Sequence, residues 1–273
     1  MITQVEEFRK YLISEEKTAA TVEKYLRDVG IFLEWLGGRS FEKSLVLEYK
    51  SLLCKRYAPA SVNAAISSLN SFFSYINRYD CRVKALKIQR QIFSSSDREL
   101  TKAEYERLLS AAKKKRRLYL LMQTICSTGI RVSEVRYITV AAAKAGYALI
   151  DCKGKLRKVF LPKKLCAVLL QYVKTMNISG GSIFVTKSGR PLDRSNIWAE
   201  MKKLCAAAGV ARKKVFPHNL RHLFARTYYS MQKDIARLAD ILGHSSINTT
   251  RLYTMETGVI HQRQIERLGL LKC

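Results

Sequence analysis

The chain has 273 residues, of which 48% are hydrophobic, so it is long enough for one large or two modest domains with buried cores. Lysine and arginine number 49 against 22 acidic residues, and the resulting formal charge of +27 predicts a polyanionic partner. This composition excludes a disordered basic tail, and no stretch approaches the roughly 20 consecutive apolar residues that a membrane-spanning helix needs.

The cysteines and the first residues bear on the compartment. Seven cysteines include no CxxC pair and histidine occurs only four times, which favours neither a disulfide framework nor a zinc site. The opening MITQVEEFRK is acidic and amphipathic, which argues against a signal peptide. We therefore expect a cytoplasmic, reduced protein that needs no metal or other cofactor and binds no membrane.

Four amphipathic helices are predicted in the first 81 residues. Apolar residues recur at three- and four-residue spacing over residues 2–12 and 22–36, where Gly37 and Gly38 end the pattern. The same period returns over residues 45–53 and 61–75. Four such helices predict a small N-terminal bundle over residues 1–81.

A connector and a second domain follow. Residues 82–97 are basic and rich in serine without an apolar stripe, which is typical of an exposed linker. The second domain, residues 98–273, begins with a helix because Thr101 and Glu104 have the spacing of a capping box. Short strands are predicted at residues 147–151, 158–161 and 182–185, and helices resume at Ser195. The predicted fold class is therefore mainly α, with a small antiparallel sheet in a mixed second domain.

Isolated polar residues interrupt the otherwise apolar helices of the second domain. They are Arg131 in STGIRVSEV, His218 and Arg221 in PHNLRH, His244 in LGHSS, and Tyr253 in TTRLYT. Each has an ordinary structural explanation when taken singly, such as a surface arginine or a packed tyrosine. Their joint pattern is the informative feature.

That pattern resembles the tyrosine recombinase (phage integrase) family over nearly the whole chain. TGIRVSE is similar to the family's first arginine box, FPHNLRH to its second, and LGHSSINTTRLYT to the box that ends in the nucleophilic tyrosine. The N-terminal part agrees independently, since it resembles the T-x-x-x-Y-x-x-D-x-x-x-F signature of the SAM-like, helical core-binding domain. The matching residues are Thr21, Tyr25, Asp28 and Phe32.

The resemblance implies a role for each residue of the constellation. Negative charge grows on the non-bridging oxygens of a phosphodiester during displacement, and the planar guanidinium groups of Arg131 and Arg221 match those oxygens. Tyr253 would attack and form a 3′-phosphotyrosyl bond, with His218 as the base that helps the hydroxyl ionise. His244 would donate a hydrogen bond to the phosphate. The covalent intermediate retains the bond energy, so neither ATP nor metal is expected.

The departing 5′-oxygen needs a proton, which family members take from a lysine on a β-hairpin. Lys153 in CKGKLR aligns best with that lysine. The turn is one residue shorter than the family commonly has, so Lys155 is a rival for the role.

Other charged residues and histidines are interpreted from their spacing and their neighbours in the sequence. Glu134 follows Arg131 by three residues, so it forms either a solvated salt bridge or a contact that positions Arg131. His222 and His261 are interpreted as structural. The candidate DNA contacts are Lys113, Lys114, Lys115, Arg116, Arg117, Lys155, Arg157, Arg212, Lys213 and Lys214.

The resemblance predicts a site-specific recombinase that clamps duplex DNA between its two domains and works as a tetramer on two sites. A core-binding pattern that begins within the first residues favours a simple Xer-like or mobile-element enzyme without an arm-binding domain. The C-terminal tail, residues 258–273, is expected to dock on a neighbouring protomer. A type IB topoisomerase or telomere resolvase, and a catalytically silent DNA-binding accessory protein, remain the alternatives.

Overall fold

A computed structural model of the chain describes residues 2–88, 96–152, 155–186, 188–254 and 266–268. It divides into two compact units, Met1–Arg90 and Gln91–Cys273. Within the described ranges, no helix combines the length and the apolar character required to cross a membrane.

The first unit is a bundle of four helices, as the apolar spacing predicted. Its helices are α1 (Ile2–Ser14), α2 (Ala19–Leu36), α3 (Lys43–Arg56) and α4 (Pro59–Tyr75). Gly37 ends α2 in the left-handed conformation, with φ of 61°, which glycine adopts without steric cost. Proline suits the first turn of α4 because its ring presets the helical φ.

A polar contact ties α2 to α4 inside this bundle. The carboxylate of Asp28 accepts a hydrogen bond of 2.7 Å from the hydroxyl of Ser68, which is fully buried, and also pairs with Lys24. Aromatic rings fill the surrounding core, with Phe32 edge-on to Phe73 at a centroid distance of 5.8 Å. Asp28 therefore joins two helices in the core, which gives the aspartate of the N-terminal signature a structural function.

The second unit is mostly helical. Its helices are α5 (Lys102–Ala112), α6 (Arg116–Thr128), α7 (Val140–Ala145), α8 (Lys163–Thr175), α9 (Arg194–Lys202), α10 (Cys205–Ala208), α11 (Pro217–Gln232), α12 (Ile235–Leu242) and α13 (Ile247–Thr254). The predicted capping box begins α5, because the Glu104 amide donates to Thr101 Oγ1 at 3.2 Å and the Thr101 amide donates to Glu104 Oε2 at 2.8 Å. Short 3₁₀ turns cover Val132–Tyr137 and Arg212–Lys214.

The small sheet consists of strands β1 (Tyr147–Cys152) and β2 (Lys155–Phe160), which pair antiparallel with Ile150 opposite Arg157. The predicted hairpin is confirmed, but β2 begins three residues earlier than the apolar pattern indicated. The expected third strand at residues 182–185 is wrong. Ser182 and Val185 form only isolated bridges, to Thr139 and Pro191. The bonds of the second bridge run through the flanking residues, from the Leu192 amide to the Phe184 carbonyl and from the Thr186 amide to the Arg190 carbonyl.

One face of the hairpin joins the core of the second unit. Ala148, Ile150 and Val159 are buried with the apolar residues of α6 and α8. Helix α6 contributes several residues to this core and ends at Thr128, with Gly129 as its cap, just before Arg131. The core thereby fixes the point where the first arginine box leaves its helix.

Candidate active site

Arg131 leaves the end of α6 and is held by Glu134. Glu134 Oε1 accepts from Arg131 Nη1 and Glu134 Oε2 accepts from the Arg131 amide, both at 2.8 Å. Arg131 Nη2 donates to the carbonyl oxygen of Gly243 at 3.1 Å. The Glu134 side chain is only 4% exposed, so the interpretation as a solvated salt bridge is wrong and the positioning contact fits the geometry.

Arg221 on α11 is completely buried, with 0% exposure. Its Nη1 donates to the carbonyl of Gly129 at 2.6 Å, and its Nη2 donates to the carbonyl of Leu242 at 2.8 Å. Its Nε has no hydrogen-bond partner in the described part of the chain. Burial and the nearby Arg131 lower the pKa of Arg221 to about 10, which leaves it cationic at neutral pH. None of these bonds goes to a carboxylate, so the site retains uncompensated positive charge.

Tyr253 on α13 meets His218 in this site. Its hydroxyl lies 3.0 Å from His218 Nε2, and the tyrosine is 7% exposed. Burial first, and then the charges of Arg221 and Arg131, lower the pKa of His218 below its ordinary value, so the ring is neutral at pH 7. In the tautomer with its proton on Nδ1, Nε2 is free to accept the hydroxyl proton.

His222 contacts the same tyrosine, although its sequence position had indicated a structural residue. Its ring stacks on Tyr253 with centroids 4.1 Å apart and an interplanar angle of 18°. It also lies edge-on to His218 at 4.7 Å. Its place one residue after Arg221, in the second arginine box, was the signal that could have assigned it to the site.

His244 is oriented by two hydrogen bonds. Arg221 Nη2 lies 2.8 Å from His244 Nε2, and a guanidinium can only donate, so Nε2 accepts. The proton is therefore on Nδ1, which lies 2.8 Å from Thr250 Oγ1. Burial and Arg221 lower the pKa of His244 to about 4. The expected donation from His244 to a phosphate stays a prediction. Donation through Nε2 requires a proton on that nitrogen and a different partner for Arg221 Nη2.

The side chains of both candidate general acids lie outside the described residues. Lys153 lies outside the described residues. Lys155 begins β2, and its side chain also lies outside them. His261 and most of the C-terminal tail fall outside the described ranges as well.

Three of the candidate DNA contacts are engaged within the protein, and this corrects the expectation that their charges are available to phosphate. Arg117 donates to the Val185 carbonyl at 2.7 Å and to Glu200 at 2.6 Å. Lys214 pairs with Glu104 at 2.9 Å, in a pair that is mostly buried. The third is Arg157, which binds Glu134 at 2.7 Å.

The remaining described candidates from the basic runs are exposed. They are Lys113, Lys114, Lys115, Arg116, Arg212 and Lys213. Lys213 has only a long contact of 3.5 Å to Asp97. Exposed cations of this kind are available to a phosphate backbone.

A cleft of about 760 Å³ opens beside the catalytic candidates, with Arg131, His218 and Arg221 in its wall. Helix α9 contributes Arg194 and Trp198, which no motif had singled out. Across the described ranges, no group of three or more histidine, cysteine or acidic side chains is placed to hold a metal ion.

Comparison with known proteins identifies the class of protein. The model of the phage integrase family matches residues 98–258, and that of the phage integrase N-terminal SAM-like domain matches residues 5–79. The chain belongs to the phage integrase family. The class of protein is therefore the tyrosine recombinases.

Individual relatives agree with this assignment. The chain is 30% identical to the tyrosine recombinase XerA of Thermococcus kodakarensis over 280 residues, covering 98% of this chain and 95% of the relative. It is 26% identical to the tyrosine recombinase XerD of Vibrio cholerae, with coverage of 86% and 85%.

Solved structures share the fold. A crystal structure of XerA recombinase matches with a TM-score of 0.56 at 25% identity, covering 99% of both chains. A lambda integrase dimer bound to a COC′ core site matches with a TM-score of 0.74 at 19% identity, covering 93% of this chain and 77% of that one.

Proposed function

We propose that this protein is a site-specific DNA recombinase that cleaves and rejoins duplex DNA through a phosphotyrosyl bond to Tyr253. The observation that carries the proposal is the contact of 3.0 Å between the Tyr253 hydroxyl and a neutral His218. This contact lies beside Arg221, a buried cation without a carboxylate partner. A nucleophile, a base and an anion-binding charge are thus assembled within one chain.

The reaction follows from these positions. The scissile phosphate binds between Arg131 and Arg221, which stabilise the charge that develops on its non-bridging oxygens. The Tyr253 hydroxyl passes its proton to His218 and its oxygen attacks phosphorus, so the bond to the 5′-oxygen breaks. Lys153 supplies the proton to that 5′-oxygen, with Lys155 as the alternative donor. A 5′-hydroxyl on a second strand reverses these steps and rejoins the DNA.

We further propose that four protomers act on two DNA sites. Among the structural neighbours is a lambda integrase tetramer bound to a Holliday junction, and another is XerH bound to its difH substrate. The exposed lysines and arginines of the second unit are the proposed phosphate contacts. A cytoplasmic location and an origin in an Xer system or a mobile element belong to the same proposal.

The C-terminal tail is proposed to dock on a neighbouring protomer. Its apolar residues Val259, Ile260 and Ile265 need a surface to cover them. Truncation after Gly258 should leave binding to a single site intact and weaken the assembly on paired sites, which native gel shifts measure. Poor single-site binding together with early thermal melting would instead assign the tail to its own domain.

The two alternatives differ from recombination in their products. A type IB topoisomerase or telomere resolvase relaxes or seals DNA without joining two duplexes, whereas a silent accessory protein forms no covalent adduct. The comparisons favour recombinases over both. Joints between two input duplexes would distinguish recombination directly.

The decisive experiment traps covalent complexes on a randomised library of nicked duplexes and sequences the DNA attached to the protein. We expect enrichment of one site, with the 3′ end linked to Tyr253. The Tyr253→Phe variant removes only the hydroxyl, so it should bind the enriched site and form no adduct. An adduct formed by that variant would refute the assignment of the nucleophile, and no adduct from the wild type would refute the proposed function.

A further inference from the structure

Glu134 binds a second arginine besides Arg131. Arg157 Nη2 donates to Glu134 Oε2 at 2.7 Å, and Arg131 Nη1 donates to Glu134 Oε1 at 2.8 Å. The side chains of Arg157 and Glu134 are 14% and 4% exposed, so this pair is largely shielded from water. One carboxylate is thus shared between a strand of the hairpin and the first arginine box.

The other arm of Arg157 reaches the segment that carries His244. Its Nη1 donates to the carbonyl of Ile241 at 2.6 Å. Its side chain also crosses Gly243, where a Cβ would lie 2.6 Å from Arg157 Cδ. Arg131 Nη2 donates to the carbonyl of that same Gly243 at 3.1 Å. Both arginines therefore hold the end of α12, immediately before His244.

Sharing the carboxylate constrains Arg131. A guanidinium and a carboxylate prefer two parallel hydrogen bonds when both partners are free. Oε2 accepts from both Arg157 and the Arg131 amide, and the Arg131 side chain binds Glu134 through Nη1 alone. The Arg131 side chain remains 33% exposed at the cleft. Without Arg157, Oε2 would retain only the Arg131 amide and could accept a second bond from the Arg131 guanidinium, which would draw that side chain away from an incoming phosphate.

We propose that Arg157 is a positioning residue for the phosphate clamp, defined as Arg131 and Arg221. It acts by sharing Glu134 with Arg131 and by fixing the end of α12, whose last residue, Leu242, binds Arg221 through its carbonyl. This inference rests on the proposed function. It assigns Arg157 a role inside the protein instead of a contact with a DNA phosphate.

The test compares two versions of the nicked duplex enriched in the selection above. One carries the natural phosphate at the cleaved position, and the other carries a methylphosphonate, which lacks the negative charge that the clamp neutralises. Single-turnover adduct formation is measured for Arg157→Ala and Arg157→Lys. Arg117→Ala is the matched control, because Arg117 also binds one carbonyl and one glutamate within the second unit. Thermal melting checks that each variant is folded.

We expect Arg157→Ala to be slower than wild type on the phosphate by a factor on the order of 10², as misplacement of a catalytic group by about 1 Å can cause. On the methylphosphonate the two proteins should agree within about threefold, because a misplaced clamp matters less to a neutral group. Arg157→Lys retains a point charge for Glu134 and should show a smaller loss with the same substrate dependence. Any loss in Arg117→Ala should be equal on both substrates.

Two outcomes separate this inference from the proposed function. Equal losses on the two substrates for a folded Arg157→Lys or Arg157→Ala protein would overturn the positioning role, since a purely structural defect ignores the charge of the phosphate. A wild-type protein that forms no adduct on the natural phosphate would overturn the proposed function, and the present inference would fall with it.

Discussion

Replacement of Gly129 by alanine tests whether the end of α6 fixes the phosphate clamp. Gly129 has φ of 67° and ends the helix in the left-handed conformation. Its carbonyl accepts the bond of 2.6 Å from Arg221. An added Cβ would lie 2.4 and 2.6 Å from ring carbons of Phe224 and 3.0 Å from a methyl group of Leu242. Phe224 packs against the cluster that contains Leu242 and Tyr253, so a displacement of its ring would press on that cluster.

The expected cost has two parts. An alanine in the left-handed region costs about 1–2 kcal/mol, and overpacking costs about 1–3 kcal/mol more. Gly146 is the matched control, because it also ends a helix in the left-handed conformation, with φ of 79°, but has nothing within 4 Å of the added Cβ. We therefore expect Gly129→Ala to lose about 2–5 kcal/mol and Gly146→Ala only about 1–2 kcal/mol.

Urea denaturation of both variants measures the free energies of unfolding, and single-turnover cleavage measures the effect on the clamp. Gly129→Ala should also cleave more slowly than Gly146→Ala at a temperature where both are folded, because the clash of the added Cβ displaces the carbonyl that holds Arg221. Equal destabilisation by the two substitutions would show that Phe224 yields at little cost, and the steric argument would be refuted. Equal cleavage rates would show that the Gly129 carbonyl does not fix Arg221.

Three further predictions follow from the site. The free energy of unfolding should fall as pH drops below 6.5. A histidine in the unfolded chain takes up a proton there, while burial holds the folded pKa of His222 near 3 and that of His244 near 4. The difference in melting temperature between pH 7.5 and pH 5.5 should be smaller for His222→Phe than for the wild type. Covalent adduct formation should proceed in EDTA, because the two clamp arginines supply the positive charge; activity that disappears on chelation and returns with magnesium would contradict this. Lys153→Ala should be slow on normal DNA and largely rescued by a 5′-bridging phosphorothiolate, whose thiolate leaves without a proton; rescue of Lys155→Ala instead would move the role.

The apolar period predicted the helices of the first unit because each one covers a shared core with a single stripe. The hairpin was predicted as a unit, but β2 begins earlier than expected, at Lys155. One of its inward residues, Arg157, is charged, and two of its three outward residues are apolar, with Leu156 76% and Phe160 72% exposed. Alternation cannot show the start of a strand when a buried ion pair replaces an apolar residue on the inner face.

The resemblance to the family identified the residues of the site. The partners of these residues depend on contacts between positions that are distant in sequence. Glu134 lies three residues from Arg131, and spacing alone indicated that pair. Arg157 is 23 residues beyond Glu134, and no local pattern distinguishes a lysine-rich hairpin that faces DNA from one whose arginine is turned inward. The stacking of His222 on Tyr253 likewise depends on the packing of α13 against α11.

The burial of Arg221 without a carboxylate is explained by the helices that end around it. Helix α6 ends at Thr128, just before Gly129, and α12 ends at Leu242; the carbonyls of Gly129 and Leu242 both accept bonds from its guanidinium. Helix C-termini carry partial negative charge, so two of them stabilise a buried cation without neutralising it. A glutamate in their place would bind the guanidinium more tightly but would compete with the phosphate for it. Carbonyl anchoring therefore keeps Arg221 both fixed and charged, which is what stabilising the transition state of a phosphodiester requires.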